Sequence, residues 1–188
     1  AFYRKHIIRP TLNYFVEKYY PRGSRVLHAG CGGGQVDINI RDKISVIALD
    51  ISTNALTIYK KINSDSSKII HGSTLAIPLR AEAMDGVYSL GLMGHFTKEE
   101  IHRTLTEFHR VLNPNGKVIL FWPPEFGLTT NFLDIVHFIL NSILRKNVKL
   151  HPDEISRVKS KEQVRMTCEK AGFCIIDYYF GIRDFFTQ

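Results

Sequence analysis

Three glycines and one carboxylate are the residues whose types and spacing best suit a ligand site. Gly30, Gly32 and Gly34 alternate directly after a short apolar run. A strand that breaks into glycines exposes backbone N–H groups with no Cβ in the way, so a ligand can approach the main chain. Asp50 follows Gly30 by twenty residues, at the end of the apolar run 46–49. An acid at a strand end can accept both hydroxyls of a ribose, so the pattern predicts a nucleoside site.

The spacing of these glycines separates two classes of nucleoside site. A dinucleotide fingerprint reads G-x-G-x-x-G, and its third glycine lies where the following helix packs on the strand. Counted from Gly30, that third position is Gln35, so the chain carries G-x-G-x-G instead. The dinucleotide form is therefore excluded. We expect a helix over 36–42 after the loop, whose positive end would face the ligand.

Alternating strands and helices are predicted to position these residues. The predicted strands are 25–29, 44–49, 68–71, 84–90 and 117–122, and the predicted helices after the first strand are 36–42, 52–62, 97–112 and 160–172. An N-terminal helix is expected within 1–22, and closing strands at 173–179 and 184–187. We expect the second of these helices to bury Ala55, Ile58, Tyr59 and Ile62. Strands alternating with helices indicate a doubly wound α/β fold with a parallel sheet.

Composition and charge narrow the class of protein. The chain has 188 residues, which predicts one domain, and it begins with Ala1, so we expect a piece of a longer protein. The three cysteines are odd in number and lack metal-ligand spacing, which indicates reduced thiols in a cytoplasmic protein. The formal net charge is +7, concentrated in 1–25 and 145–170. Such an excess suits an anionic partner or a solvated basic surface.

Several segments, in order, resemble the class I S-adenosyl-L-methionine (SAM) dependent methyltransferases. That family's first motif reads acid-x-G-x-G-x-G, and its second strand ends in a ribose-binding acid. The similar segments of this chain are 28–34, 49–52, 72–75, 77–79, 84–87, 89–96, 108–116 and 171–173. The resemblance implies a single methyltransferase domain over 1–188. It also implies a mostly parallel seven-stranded sheet with helices on both faces and a short antiparallel last strand.

The resemblance also implies SAM as cofactor, S-adenosyl-L-homocysteine as product, and a set of cofactor contacts. The loop backbone would hold the methionine part, and Asp50 would bind the ribose. Ile51 and the 73–75 turn would contact the adenine, and residues 90–91 would form the floor below the sulfonium. The implied contacts are His28, Gly30, Cys31, Gly32, Gly34, Asp50, Ile51, Ser73, Thr74, Leu75, Leu90 and Gly91. His95 is the candidate general base, and no metal site is expected.

Two of these residues depart from the family pattern. His28 stands where the family has an acid at the end of the first strand. The interpretations of His28 are a direct cofactor contact and a histidine satisfied by the loop backbone. Ser73 stands where an Asp often receives the adenine amino group, and its hydroxyl can accept the same bond with less charge. His95 could equally cap or pack against the following helix.

The acceptor is expected to be a small molecule such as a sugar, a quinone or a lipid-linked metabolite, with an anionic acceptor among the options. The loop after the fourth strand lacks the Asp/Asn-Pro-Pro-Tyr motif for exocyclic amines, so nucleic-acid base methylation has no motif support. The alternatives are an RNA-directed methyltransferase or basic RNA-binding adaptor, and a SAM-binding protein without catalysis. A helical insertion over 123–159 includes a very apolar helix at 131–145. It could be a core helix, a homodimer interface, a lid over the substrate, or a peripheral membrane contact.

Overall fold

The computed structural model describes residues 4–64, 68–122 and 155–179. These residues fall into two compact units. The first unit holds residues 4–64, 68–92 and 103–121, and the second holds 93–102, 122 and 155–179. The glycine loop and every predicted cofactor contact lie in the first unit.

A five-stranded parallel sheet forms the centre of the first unit. Its strands are β1 (Arg25–Ala29), β2 (Ser45–Asp50), β3 (Lys68–His71), β4 (Met84–Leu90) and β5 (Leu112–Phe121). The order across the sheet is β3-β2-β1-β4-β5, so the chain moves outward from β1 in one direction and then in the other. Parallel α/β sheets bind ligands at the carboxyl ends of the strands beside such a reversal. The glycine loop follows β1 at that point.

The helices begin and end close to the predicted residues. A π-helical turn (Arg4–Ile8) leads into α1 (Arg9–Tyr19), and the other helices are α2 (Thr53–Asn63), α3 (Lys98–Val111) and α4 (Lys161–Lys170). Ser52 caps α2 by accepting a bond from Ala55 N at 3.2 Å, as predicted. Glu100 accepts from Thr97 N at 2.9 Å in the predicted capping box of α3. No helix among the described residues is both long and apolar enough to cross a bilayer.

Tyr20, which follows α1, joins that helix to the sheet. Its hydroxyl donates to the carbonyl oxygens of Val87 at 2.9 Å and Lys117 at 3.1 Å, and its ring is buried. The ring packs against Gly86 of β4 so closely that a Cβ at Gly86 would overlap it. Burial raises the pKa of Tyr20, so the phenol stays protonated and keeps its donor. This contact holds the end of α1 against β4 and β5.

The segment after the glycine loop differs from the sequence prediction. Residues 36–42 form a series of turns rather than the predicted helix, with bonds from Asp37 N to Gly34 O (3.1 Å) and from Ile40 N to Asp37 O (3.2 Å). A helix of seven residues has few internal bonds, and Asn and Asp side chains favour turns. The burial of Asp37 beneath the loop further commits this segment to an irregular path. Residues 36–42 therefore do not present the predicted positive helix end to the loop.

Two further predictions differ from the structure, and other predictions concern residues that the structure does not describe. Helix α2 buries Leu56 and Tyr59, whereas Ile58, predicted to face inward, is 42% exposed. Residues 173–179 are not paired as a strand, and 184–187 lie outside the described residues. The described sheet has five parallel strands, so seven strands with an antiparallel last one are not confirmed. Most of the insertion, 123–154, also lies outside the described residues.

Candidate functional site

The glycine loop has a backbone path that favours glycine. Gly30, Gly32 and Gly34 have φ angles of +70°, +51° and +65°, a region that side chains with a Cβ rarely adopt. The amides of Gly30 and Cys31 both donate to Leu49 O, at 2.9 and 3.0 Å. These two bonds hold the loop against the end of β2. The loop is therefore a fixed turn at the carboxyl edge of the sheet.

Asp50 lies directly beside this loop. Its Oδ2 accepts from Gly32 N at 2.8 Å, and its Oδ1 accepts from Ser52 N at 2.8 Å. Each carboxylate oxygen has a further lone pair, so both can still accept from a hydroxyl. The side chain is only partly buried and is accessible to a ligand. The predicted proximity of Asp50 to the glycine loop is therefore present in the structure.

The residues predicted to surround adenine follow β2 and β3. Ile51 is 71% exposed, which leaves an apolar side chain available for a planar ring. Gly72 N donates to Asp50 O at 3.0 Å and joins the 72–75 turn to the end of β2. Within that turn Ser73 Oγ accepts from Leu75 N at 3.1 Å. Asp50, Ile51 and the turn thus lie along one edge of the sheet.

The residues predicted for the floor of the site end β4. Gly91 has a φ of +75°, and its amide donates to Phe121 O at 2.8 Å. Leu90 is half-buried, and the hydroxyl of the adjacent Ser89 is buried without a hydrogen-bond partner among the described residues. His95, the candidate base, belongs to the second unit. It is exposed at the end of a short 3₁₀ segment, Leu92–His95.

A buried polar cluster that sequence reasoning missed lies behind the loop. Asp37 is fully buried, and its Oδ2 lies 2.8 Å from His28 Nδ1. An ionised carboxylate only accepts, so the histidine nitrogen carries the hydrogen. Tyr59 OH donates to the same oxygen at 2.6 Å, and Tyr88 OH donates to Oδ1 at 2.7 Å. We call these four side chains (His28, Asp37, Tyr59 and Tyr88) the Asp37 cluster. They connect β1, the segment after the loop, α2 and β4.

Electrostatics keep Asp37 ionised inside the protein. Burial by itself raises the pKa of the carboxyl, but His28 and the hydroxyls of Tyr59 and Tyr88 outweigh it and hold that pKa below its ordinary value. Burial and the Asp37 charge raise the pKa of both tyrosines, so both remain donors. The cluster therefore contains one stable negative charge that accepts three hydrogen bonds.

The structure gives His28 a partner that the sequence analysis did not consider. Its ring is 1% exposed, bonds to Asp37, and stacks on Tyr88 with ring centroids 4.4 Å apart. The position at which the family has an acid thus holds a histidine, and this histidine bonds to an acid nine residues later. No local pattern marked Asp37 as buried, because, of its two apolar neighbours, Val36 is buried and Ile38 is 45% exposed.

The thiols provide a direct test of this loop geometry. Burial, with the charges of Asp50 and Asp37, raises the pKa of the Cys31 thiol far above its usual value, and burial raises that of Cys168 to about 11. Cys174 is exposed. We expect a chromogenic disulfide reagent at neutral pH to label Cys174 rapidly and Cys31 and Cys168 slowly, since the thiolate is the reactive form. Denatured protein should show three reactive thiols, and rapid native labelling of Cys31 would contradict the buried loop.

The residues present fit an adenosyl ligand. At Gly32 nothing lies within 4 Å of an added Cβ, so this part of the loop leaves open space beside Asp50, whereas Gly34 and Gly30 pack against Tyr59 and Leu92. The half-buried Asp50 can accept from ribose, and Ile51 offers an apolar surface. The described residues hold no cluster of His, Cys, Asp and Glu able to bind a metal.

Comparison with known proteins identifies the family of this chain. A methyltransferase-domain family matches residues 27–120, which is half of the chain. A probable tRNA methyltransferase 9B of Bos taurus is 26% identical over 118 residues, covering 62% of this chain and 25% of that protein. A tRNA (carboxymethyluridine(34)-5-O)-methyltransferase of Xenopus tropicalis is 28% identical over 123 residues, covering 64% of this chain and 19% of that protein. The chain thus spans a quarter or less of the length of these relatives.

A solved structure supports the fold independently. A SAM-dependent methyltransferase of Thermotoga maritima, described as a possible histamine N-methyltransferase, has a TM-score of 0.65 and 20% identity. The match covers 93% of this chain and 74% of that one. At this identity the likeness establishes the fold alone. The family match, the fold and the glycine loop with its neighbouring acid agree, and the chain belongs to the class I SAM-dependent methyltransferase family.

Proposed function

We propose that this protein transfers a methyl group from SAM to an acceptor. The observation that carries the proposal is the 2.8 Å bond from Gly32 N to Asp50 Oδ2. It brings together the backbone cradle and the carboxylate that a single adenosyl group would need. When bound, SAM supplies an activated methyl group on a cationic sulfonium. The protein then has to bind and orient the two reactants and to exclude water. Such positioning can lower a barrier by about 7–11 kcal/mol.

Each part of the site has an expected task. The backbone of Gly30, Cys31, Gly32 and Gly34 would orient the methionine part of the cofactor. Asp50 would accept the ribose hydroxyls. The adenine would lie between Ile51 and the 73–75 turn. The polar side chains of that turn are Ser73 and the buried Thr74. Leu90 and Gly91 would form the floor, and His95 remains the candidate base.

We propose that His28 acts through Asp37 as a positioning residue. The ring bonds to a buried carboxylate that also holds Tyr59 and Tyr88, and Tyr59 packs under Gly34. The cluster would therefore hold the loop in its binding conformation, and its negative charge would favour a cationic ligand nearby.

The experiment that tests the proposal is calorimetry with SAM. Replacing Asp50 with Ala should weaken SAM binding at least tenfold, about 1.4 kcal/mol, because the ribose hydroxyls lose a charged acceptor. Asp42→Ala is the matched control, since Asp42 is an exposed acid of the segment between the loop and β2 and should leave the affinity unchanged. Equal affinities of the wild type and Asp50→Ala would remove Asp50 from the site and with it the proposal.

The sequence predicted a small-molecule acceptor, and RNA is a second candidate. The first relatives described above are named for action on tRNA, and the chain carries a net charge of +7. A strongly basic chain suits a phosphate backbone. Incubation with SAM carrying a labelled methyl group, followed by separation of RNA from small metabolites, decides between them. Label in RNA supports the second acceptor, and label among metabolites supports the first.

The remaining expectations stay proposals. A protein that binds SAM tightly but labels neither fraction would fit the hypothesis of binding without catalysis. The homodimer, lid and membrane contacts proposed for 131–145 fall outside the described residues. A cytoplasmic location rests on the free cysteines alone.

A further inference from the structure

A basic cavity lies at the edge of the sheet opposite to the cofactor site. Its volume is about 360 Å³, and residues before β1 and at the start of β2 and β3 line it. Four of the lining side chains are cationic (Arg22, Arg41, Lys43 and Lys68), and one, Asp42, is acidic. A concentration of positive charge in a cavity attracts anions more strongly than the same charges dispersed over a surface.

The cavity is distinct from the cofactor site. The loop and Asp50 follow the carboxyl ends of β1 and β2, whereas Ser45 and Lys68 begin β2 and β3. Strand β1 has five residues, so the two edges are separated by roughly 16 Å at 3.3 Å per residue. A ligand in the cavity would therefore bind without occupying the cofactor cradle.

Arg41 is fixed in position at this cavity. Its Nη1 donates to Tyr59 OH at 3.1 Å, and its guanidinium carbon lies 5.9 Å from the centre of the Tyr59 ring. Tyr59 is itself held by Asp37. The guanidinium has further N–H donors in a planar fork, which suits the paired oxygens of a phosphate. An oriented guanidinium loses less side-chain entropy when it binds an anion than a free one does.

Lys43 makes an ion pair that an anionic ligand could replace. Its ammonium contacts Glu17, and the two side chains are 44% and 53% exposed. An exposed pair of this kind contributes little to stability, so Lys43 can turn to a phosphate at small cost. Arg22 and Lys68 are also exposed. The cavity thus has one oriented cation and three accessible ones.

We propose that this cavity binds phosphate groups of an RNA backbone, at a distance from the methyl-transfer site. Its four cations and one acid give the lining a formal charge of +3, which exceeds the charge of about −1.5 to −2 on a single phosphate group and suits neighbouring phosphates of one strand. Contacts to phosphates position a nucleic acid without selecting its sequence. The inference rests on the proposed RNA acceptor and assigns it a second contact surface. An RNA held in the cavity would reach the cofactor edge from one side of the sheet.

The test compares two double variants with equal loss of charge. Arg22→Gln/Lys68→Gln removes two cations from the cavity and retains Arg41, which supports Tyr59. Lys98→Gln/Lys170→Gln is the control, because both lysines are exposed and line no part of the cavity. Binding of the purified protein to labelled total tRNA is measured by fluorescence anisotropy at several salt concentrations.

We expect the cavity variant to bind tRNA about tenfold more weakly at low salt. The slope of log affinity against log salt should become shallower by about 1.4–1.8, since each lost phosphate contact removes 0.7–0.9. The control should change the slope by less than half as much. Asp42→Asn should act in the opposite direction and strengthen binding, because it removes the acid from the cavity.

Three results would overturn the inference. The first is a salt slope in the cavity variant equal to that of the wild type. The second is a loss of tRNA affinity in the control variant as large as that in the cavity variant. The third is a cavity variant that no longer binds vesicles rich in phosphatidylglycerol but still binds tRNA. This result would assign the cavity to a lipid surface.

SAM affinity, measured on the same samples, should be unchanged in both double variants. An unaltered SAM affinity in Asp50→Ala would refute the cofactor assignment alone, and a methyl-free RNA fraction would refute the RNA acceptor alone.

Discussion

Replacing Asp37 with alanine is expected to lower the free energy of unfolding by about 3–5 kcal/mol, because a buried donor that loses its acceptor costs about 1–3 kcal/mol and Asp37 accepts from three. His28, Tyr59 and Tyr88 would each retain a buried donor without its acceptor. A domain of this size is stable by only about 5–15 kcal/mol, so the variant would be close to unfolding. Urea unfolding followed by circular dichroism measures the loss.

Two companion variants keep this prediction testable if Asp37→Ala does not fold. Tyr88→Phe removes a single donor to Asp37 and should cost about 1 kcal/mol. Asp42→Ala removes an exposed acid and should change the unfolding free energy by no more than about 0.5 kcal/mol. A loss in Asp37→Ala as small as that in Asp42→Ala would show that the cluster contributes nothing to stability.

The pH dependence of the same measurement has a definite sign. The folded pKa of Asp37 lies below its unfolded value, which is about 3.9 for an unperturbed Asp. The ionised carboxylate therefore contributes stability that is fully present above about pH 4 and is lost as the pH falls through the lower folded value. The difference in unfolding free energy between the wild type and Asp37→Ala should be constant near neutral pH. It should narrow below pH 4, and a difference that widens there would contradict the assignment.

Gly34→Ala is expected to abolish measurable SAM binding and to destabilise the protein. The added Cβ would overlap the Tyr59 ring and lie 2.5 Å from Asn63 Nδ2, which itself donates to Gly34 O at 2.9 Å. The φ of +65° adds about 1–2 kcal/mol of backbone strain for a residue with a Cβ. The loop would have to move away from α2, which would disturb the bonds that hold its amides to Leu49 O and Asp50 Oδ2 and so the position of the loop beside Asp50. Calorimetry with SAM and thermal unfolding measure the two effects.

Gly23 provides the matched control for this variant. Its φ is +84°, yet nothing lies within 4 Å of a Cβ added there. Gly23→Ala should therefore incur the backbone strain alone and retain SAM binding, because Gly23 precedes β1 and lies away from the glycine loop. If Gly34→Ala binds SAM as Gly23→Ala does, the close packing of the loop on Tyr59 is not required for binding.

Both predictions depend on Tyr59. Its ring supports Gly34 from below, and its hydroxyl bonds to Asp37 while accepting from Arg41. The glycine loop, the Asp37 cluster and the basic cavity thus share one buried side chain of α2. A change at Tyr59, or at its contacts Gly34, Asp37 and Arg41, is expected to reach the other two sites through the position of this ring.

The regular elements were predictable because their signals are local. Strands β3 and β4 occupy the predicted residues, because each contains apolar residues bounded by polar residues or turns. The Ser52 cap and the Thr97 capping box were predictable for the same reason, because donor and acceptor are three residues apart. The predicted helix at 36–42 was wrong, because the burial of Asp37 depends on partners that no local pattern reveals.

The sequence by itself determined the edge of the sheet at which the glycine loop and Asp50 meet. Alternation of strands and helices requires a parallel sheet, and a parallel sheet brings the residues after β1 and those at the end of β2 to one edge. Gly32 and Asp50 therefore had to lie near each other.

Only the tertiary structure decided which side chains meet away from that edge. Asp37 bonds to residues 9, 22 and 51 positions away in the chain. The cavity likewise gathers Arg22, Arg41 and Lys68 from separate segments. Such contacts depend on how segments pack against one another, and the periodicity of a single segment carries no record of its partners in space.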